Sequence, residues 1–374
     1  MMEYRLEELF DLQMGKTPSR NNPKYWGTND NKWISIADLS RCGKYIYDTK
    51  ECLSDEAVAE SGISQIPANT VVMSFKLSIG KTAITPEPMY SNEAIMSFRD
   101  KHTVELLPEY VYYLLLAHDW DEGTNKAVMG KTLNKATLSK VRVCIHPIKK
   151  QSEIVEVLNK ASAIIEARQQ ELQKLDDLIK ARFVEMFGDL ASPDCEWNAI
   201  KLVDACSNPD DIKCGPFGTQ LSKDEYTDSG IAVWEIPQIN SAFKTAPTHF
   251  LKEEKADQLS AYSLVPGDIA MSRKGNVGKC ALFPYGYADG IIHSDVLRIR
   301  VEQKNVNPVF MMCQLHFSGA VTRQIELVSS GAIMAGVNVT KLKQIYVHIP
   351  PMELQNQFAD FVKQVDKSRL LFIN

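Results

Sequence analysis

No apolar run in this 374-residue sequence is longer than Tyr110 to Ala117, far short of the roughly 20 residues a helix needs to cross a bilayer. Positive charge is not in excess either. Lys plus Arg total 42 against 47 Asp plus Glu, a formal net charge of −5, and residues 1–150 hold 19 basic and 19 acidic side chains. Bulk positive charge is therefore excluded as a way of holding nucleic acid, although local basic loops are not. The eight cysteines include no CxxC pair and no zinc-finger spacing. With no secretory leader in Met1-Met2-Glu3-Tyr4, they are expected to be reduced thiols of a cytoplasmic protein with no membrane segment.

Enzyme motifs are missing as well. Gly15-Lys-Thr17, Gly80-Lys-Thr82 and Gly130-Lys-Thr132 lack the glycine that a nucleotide-binding loop needs five positions earlier, where Phe10, Phe75 and Asn125 stand. Asn22-Pro23, Asn208-Pro209 and Asn307-Pro308 are followed by Lys, Asp and Val, not by the Pro-Tyr that grips a flipped adenine. The seven histidines form no HExxH or other ligand pair. A nuclease-like set, Asp194…Asp211-Ile-Lys213, occurs only in the second half, in a linker and a Pro-rich turn. No catalytic residue, metal site or cofactor is expected in this chain.

What the sequence does contain is a long internal repeat. Trp33-Ile-Ser-Ile-Ala-Asp-Leu39, Ile66 to Ser74 and Ser78-Ile-Gly-Lys81 are answered by Val233 to Ile239, Val265 to Ser272 and Asn276-Val-Gly-Lys279. Each half ends alike, Gly130 to Pro147 matching Gly336 to Pro350, with Gln151 and Gln355 just beyond. The offset runs from 198 (Gly80 to Gly278) to 204 (Leu138 to Leu342), so little was inserted. Each copy mixes short β-branched strands (Ile66–Phe75, Val265–Ser272) with short apolar helices (Val111–His118, Val309–Phe317).

Between the copies, residues 151–187 contain no Pro or Gly, and Leu158, Ile165, Leu172, Ile179 and Met186 recur every seven. That spacing predicts a long helix with a coiled-coil seam, beginning after Pro147 and stopping at Gly188. A second, shorter helix is expected after Pro350, through Leu354, Phe358, Phe361 and Val365, curtailed to about half the length of the first because the sequence stops at Asn374. The fold class expected is α+β: two similar mixed α/β domains, residues 1–150 and 191–350, separated by a central long helix, 151–190, and followed by a C-terminal helix, 351–374, with pseudo-twofold symmetry.

This arrangement resembles the specificity (DNA-recognition) subunits of type I restriction-modification systems. The resemblance covers essentially the whole chain and rests on the order of domains and helices, on Trp33 to Leu39, and on the Gly130…Pro147…Gln151 passage. It implies that each domain is a target recognition domain reading half of a bipartite double-stranded DNA site. It implies that the helices set the spacer and dock two methyltransferase subunits, joined by two restriction motor-nuclease subunits. S-adenosylmethionine, ATP and Mg would then belong to those partners. The recognition subunit of a methyltransferase-nuclease fusion system, and a coiled-coil protein-binding scaffold, are the alternatives.

Polar and basic clusters recur at matching places, and these are the candidate DNA-binding residues. In the first copy they are Lys16, Thr17, Ser19 and Arg20; Lys76, Ser78 and Lys81; and Lys131, Thr132, Asn134 and Lys135. In the second they are Thr219, Gln220 and Lys223; Arg273, Lys274, Asn276 and Lys279; and Asn338, Thr340 and Lys341. Arg, Lys, Asn and Gln can reach base edges, whereas hydroxyls and backbone N–H groups hold phosphates. Solvated turns would have the same composition.

Overall fold

The β-branched run after the Pro67 turn forms the strand Thr70–Ser74, in which every residue is buried. Alternation along the strand divides its side chains between two cores. Val71 and Met73 join Leu12, Phe98, Val111 and Leu115, while Val72 faces Ile34, Leu39 and Met89. In a computed structural model, which describes residues 1–76, 78–120, 133–190, 192, 195–329 and 336–371 (backbone alone for 370 and 371), this strand is interior to a four-stranded antiparallel sheet. The order is Phe10–Met14, Ile95–Asp100, Thr70–Ser74, Thr82–Thr85. A second sheet holds Glu51–Leu53, Trp26–Ile34 and Tyr90–Ser91, the last pair parallel. A ribbon pairs Met2–Arg5 with Arg142–Ile145. The helix Pro108–Ala117, opened by its proline, buries Tyr110, Val111 and Leu115.

The second copy repeats the plan. Its main sheet runs Ile212–Cys214, Val296–Ile299, Ile269–Ser272, Cys280–Leu282. Ile269 and Met271 enter one core with Leu297 and Met311, and Ala270 enters another with Trp234 and Phe283. Asn198–Lys201 pairs with Tyr346–Ile349 as the matching ribbon. The duplication therefore extends to strand order, and the mixed α/β class is as the sequence predicts.

The long helix runs Ile148–Phe187, 40 residues or about 60 Å. It starts on Pro147, whose carbonyl accepts from Gln151 N–H at 3.0 Å. It stops at Gly188, where φ is 72° and the N–H returns to the Val184 carbonyl at 2.8 Å. The chain divides into two compact units, Met1–Glu166 and Ala167–Asn374, so each unit keeps part of this helix. In the first, Val155 packs into the main core; in the second, Ile179, Phe183 and Phe187 pack with Phe310 and with Phe358, Val362 and Val365 of the helix Met352–Leu371. Arg369 pairs with Asp176 and Arg182 lies 5.8 Å over the Phe361 ring.

The expected seam is only partly buried. Ile179 is 4% exposed and Ile165 is 57% exposed, with Leu158, Leu172 and Met186 half-buried. The other deeply buried apolar positions, Val155, Phe183 and Phe187, lie one residue or one turn away from that row. A straight 3.6-residue helix drifts about 20° per heptad, so a strict seven-residue row stays on one face only where a partner helix winds with it.

Candidate nucleic-acid interface

Strand register decides which loops meet. In the first unit Met14 pairs with Met96 and Ser74 with Ile95, so the segments after Met14, after Ser74 and before Ile95 leave the same end of the sheet. Gly15 opens the first of them. A Cβ there would lie 2.1 Å from the Ser91 carbonyl oxygen, so only glycine lets the chain pass. Lys16 then donates its N–H to Ser91 at 2.8 Å and its amine to the Ser61 carbonyl at 2.5 Å. The Thr17 hydroxyl donates to Glu93. Ser19 is exposed and its carbonyl accepts from the Trp26 indole at 3.1 Å. The Arg20 guanidinium makes a forked pair with Glu51, at 2.5 and 3.0 Å, and lies 3.7 Å over the Trp26 ring.

That fork raises the Arg20 pKa and lowers that of Glu51, the hydrogen bond between them being the main cause in each case. The Glu93 carboxyl is lowered chiefly by the Thr17 hydroxyl, with help from a backbone hydrogen bond and the charges of Lys76 and Arg20. Glu93 thus joins the first cluster to the second. There Gly80, at φ 88°, turns the chain and returns its N–H to the Ser74 carbonyl at 2.9 Å. Lys76 lies 5.3 Å from the Phe75 ring, Ser78 is exposed, and the Lys81 amine reaches the Ser40 hydroxyl at 2.5 Å. The third cluster is tied in by Leu133 N–H, which donates to the Phe75 carbonyl at 3.1 Å. Asn134 caps the helix Lys135–Ser139, accepting from Thr137 N–H at 2.8 Å, and Lys135 is exposed in its first turn. Lys131 and Thr132 lie outside the described residues.

The second unit repeats this convergence with other side chains. Cys214 pairs with Leu297 and Ser272 with Val296. A Cβ on Gly215 would lie 2.3 Å from both the Ile292 and His293 carbonyl oxygens. Phe217 follows, then Thr219 and Gln220, whose Oε1 accepts from Phe217 N–H and from Tyr262 Oη, both at 3.1 Å. Lys223 is exposed in the next turn. The Arg273 guanidinium lies 4.9 Å over the Phe217 ring and donates to the Val337 and Ser294 carbonyls at 3.3 and 3.4 Å. Lys274 pairs with Asp295 at 2.8 Å. Asn276 is exposed and Lys279 half-buried in the same loop. Val337 N–H donates to the Arg273 carbonyl at 3.0 Å. Asn338 caps the helix Val339–Leu342 through Lys341 N–H at 3.0 Å, leaving Thr340 and Lys341 exposed.

The clusters found from composition are therefore brought together by backbone pairing in each unit. Composition did not show the residues that hold them: Glu51, Glu93, Asp295, Trp26 and Phe217. Aligning the copies on Gly15 and Gly215 places Phe217 opposite Thr17, the one sequence signal that could have singled it out.

Chemically the arrangement offers cations, amides, hydroxyls and stacked rings. Among the described residues no group of three or more His, Cys, Asp or Glu side chains is placed to hold a metal. Lys213 pairs with Asp210 at 3.4 Å, and Asp194 lies outside the described residues. Burial pushes the thiols of Cys206 and Cys280 up to about 12, which keeps them protonated. No described helix is long and apolar enough to cross a membrane.

The model of the type I restriction modification DNA specificity domain matches residues 1–176 and 212–372. The type I restriction enzyme MjaIX specificity subunit of Methanocaldococcus jannaschii is 26% identical over 190 residues, covering 50% of this chain and 43% of that protein. The EcoprrI specificity subunit of Escherichia coli is 25% identical over 172 residues, covering 42% of each. The matched stretch is thus less than half the length of either relative. In fold, the chain is similar to the S subunit of a type I restriction-modification system from M. genitalium, with a TM-score of 0.54 and 12% identity over 99% of this chain and 90% of that one.

Proposed function

The chain belongs to the family of type I restriction modification DNA specificity domains, and from that premise we propose that it is the DNA specificity subunit of a type I restriction-modification complex. The first unit reads one half of a bipartite double-stranded DNA target and the second unit reads the other. One observation carries this reading: in both units two of the polar clusters leave one end of the main sheet and the third is tied to them, by Leu133 N–H to Phe75 and by Val337 N–H to Arg273. Two copies of one recognition surface suit a duplex, whose groove faces recur about every 34–36 Å.

Asn and Gln side chains of these loops contact base edges, the Arg and Lys cations serve bases and phosphates, and Ser, Thr and backbone N–H groups hold phosphates. In the free chain Arg20 and Lys274 are paired with Glu51 and Asp295. Those carboxylates hold the cations in place and lower the net positive charge, so DNA affinity depends on the assembled complex. The long helices set the gap between half-sites and dock two methyltransferase subunits, which bring S-adenosylmethionine. Two motor-nuclease subunits add ATP- and Mg-dependent translocation and cleavage in the cytoplasm, and this chain itself performs no catalysis.

The test is an adenine-methylation map of the source genome with the gene present and deleted. Loss of one two-part motif with a fixed gap is expected on deletion. An unchanged map would overturn the proposal.

A further inference from the structure

We propose that Phe217 is an apolar base-contacting reader of the second half-site, with Arg273 as its positioning residue. This rests on the DNA-recognition reading above and goes beyond it by naming one contact and the half-site that it serves. A large apolar side chain that is 47% exposed is ordinary when it stands alone on a loose surface. Phe217 is not loose. Its root is fixed by Gly215, pressed against the Ile292 and His293 carbonyls, and by the buried Pro216. Its N–H is held by the Gln220 side chain at 3.1 Å, and Gly218, at φ 54°, turns the chain just after it. The Arg273 guanidinium stacks 4.9 Å from the ring centroid.

A stack is useful as a platform only if the cation itself is held, and it is: Arg273 spends donors on the Val337 and Ser294 carbonyls. Those bonds keep the guanidinium under the ring and draw it away from base edges, so Arg273 acts on DNA through Phe217. The remaining surface of a rigid, exposed ring is suited to a thymine methyl or to the face of an unstacked base. Exposed Thr219, two residues on, supplies a polar contact beside it. The aligned position of the first unit differs: Thr17 there is bonded to Glu93, and the neighbouring Arg20 stacks on Trp26. The apolar contact at this position therefore serves the second half-site.

The experiment uses the chain assembled with its methyltransferase partners. Methylation rates are measured on duplexes carrying the intact target, single changes in either half, and uracil in place of each thymine of the second half. Phe217→Ala should reduce discrimination about tenfold or more at one or two positions of the second half and leave the first half unchanged. Phe217→Tyr should retain it, and Arg273→Lys should reproduce part of the loss at the same positions with an unchanged melting temperature. If uracil abolishes the advantage of the wild type over Phe217→Ala, the contact is a thymine methyl; if not, it is a base face. Full discrimination in Phe217→Ala, or equal weakening on every duplex, would overturn the inference. Phe217→Leu serves if the alanine variant fails to fold. A wild-type complex that discriminates neither half would instead sink the DNA-recognition reading itself.

Discussion

Gln151 and Gln355 hold equivalent places in the two units. The fully buried Gln151 accepts from Leu107 N–H at 3.0 Å and donates to the Glu105 and His146 carbonyls, both at 2.8 Å. Gln355, equally buried, accepts from Asn307 N–H at 2.8 Å and donates to the Asn305 and Pro350 carbonyls at 3.2 and 2.7 Å. Each glutamine locks the first turn of a long helix to the loop that opens the short helix of its unit. Replacing Gln355 by Leu would strand the buried Pro350 carbonyl and remove the partner of two part-buried backbone groups, so a loss of about 1–3 kcal/mol is expected in urea unfolding. A loss below about 0.5 kcal/mol would show that the triad is not a structural lock.

Helix rows make a sharper comparison. Ile179 is buried against the helix Met352–Leu371, while Ile165, two heptads earlier, is 57% exposed. Ile179→Ala should cost about 2–4 kcal/mol and Ile165→Ala less than about 0.5 kcal/mol in the isolated chain. Equal losses would mean that the whole heptad row is covered in solution.

Gly215→Ala is expected to destabilise the second unit by more than about 2 kcal/mol. The new Cβ would lie 2.3 Å from two backbone carbonyl oxygens, which have no flexible side chain to move aside. The same change at Gly218, around which nothing lies within 4 Å, should cost far less despite its φ of 54°. Thermal melting of the two variants compares them directly.

Acid should weaken the first unit in part through Glu109. Its pKa is lowered chiefly by the hydrogen bond from Lys44, at 2.6 Å, and then by the charge of Lys44 and the hydrogen bonds of Tyr45 and Asn159. A lowered carboxylate stabilises the fold above the ordinary glutamate range, and that contribution is lost as pH falls through the lowered value. Glu109→Gln should therefore unfold at lower urea than the wild type near neutral pH, by up to about 1 kcal/mol for this partly exposed pair. The gap should close below the glutamate range. A gap that widens in acid would contradict the sign.

Half-site independence follows from the duplication. Asn276→Ala should relax one or two positions of the second half-site by about tenfold and leave the first untouched. Lys76→Ala should weaken the complex on DNA and reduce the slope of affinity against salt by about one unit. Simultaneous relaxation of both halves by either variant, read from the methylated motif, would refute the two-reader arrangement.

Repeat, helix and loop clusters were all legible in the sequence, because each is written locally. Pro147 and Gly188 mark the helix ends through backbone geometry, and Gly15 and Gly80 mark turns that few other residues can make. Only the tertiary structure decided which clusters meet. Lys76 and Asn134 are 58 positions apart, and their segments come together because Leu133 pairs with Phe75. It also decided that Arg20 lies against Glu51 and Trp26, and that Arg273 supports Phe217. The same holds for the seam: seven-residue spacing marks an amphipathic helix, but burial of Ile179 depends on its packing against the helix Met352–Leu371. Spacing along a chain encodes its local periods and turns, whereas long-range partners follow from strand register and packing, which a local pattern does not carry.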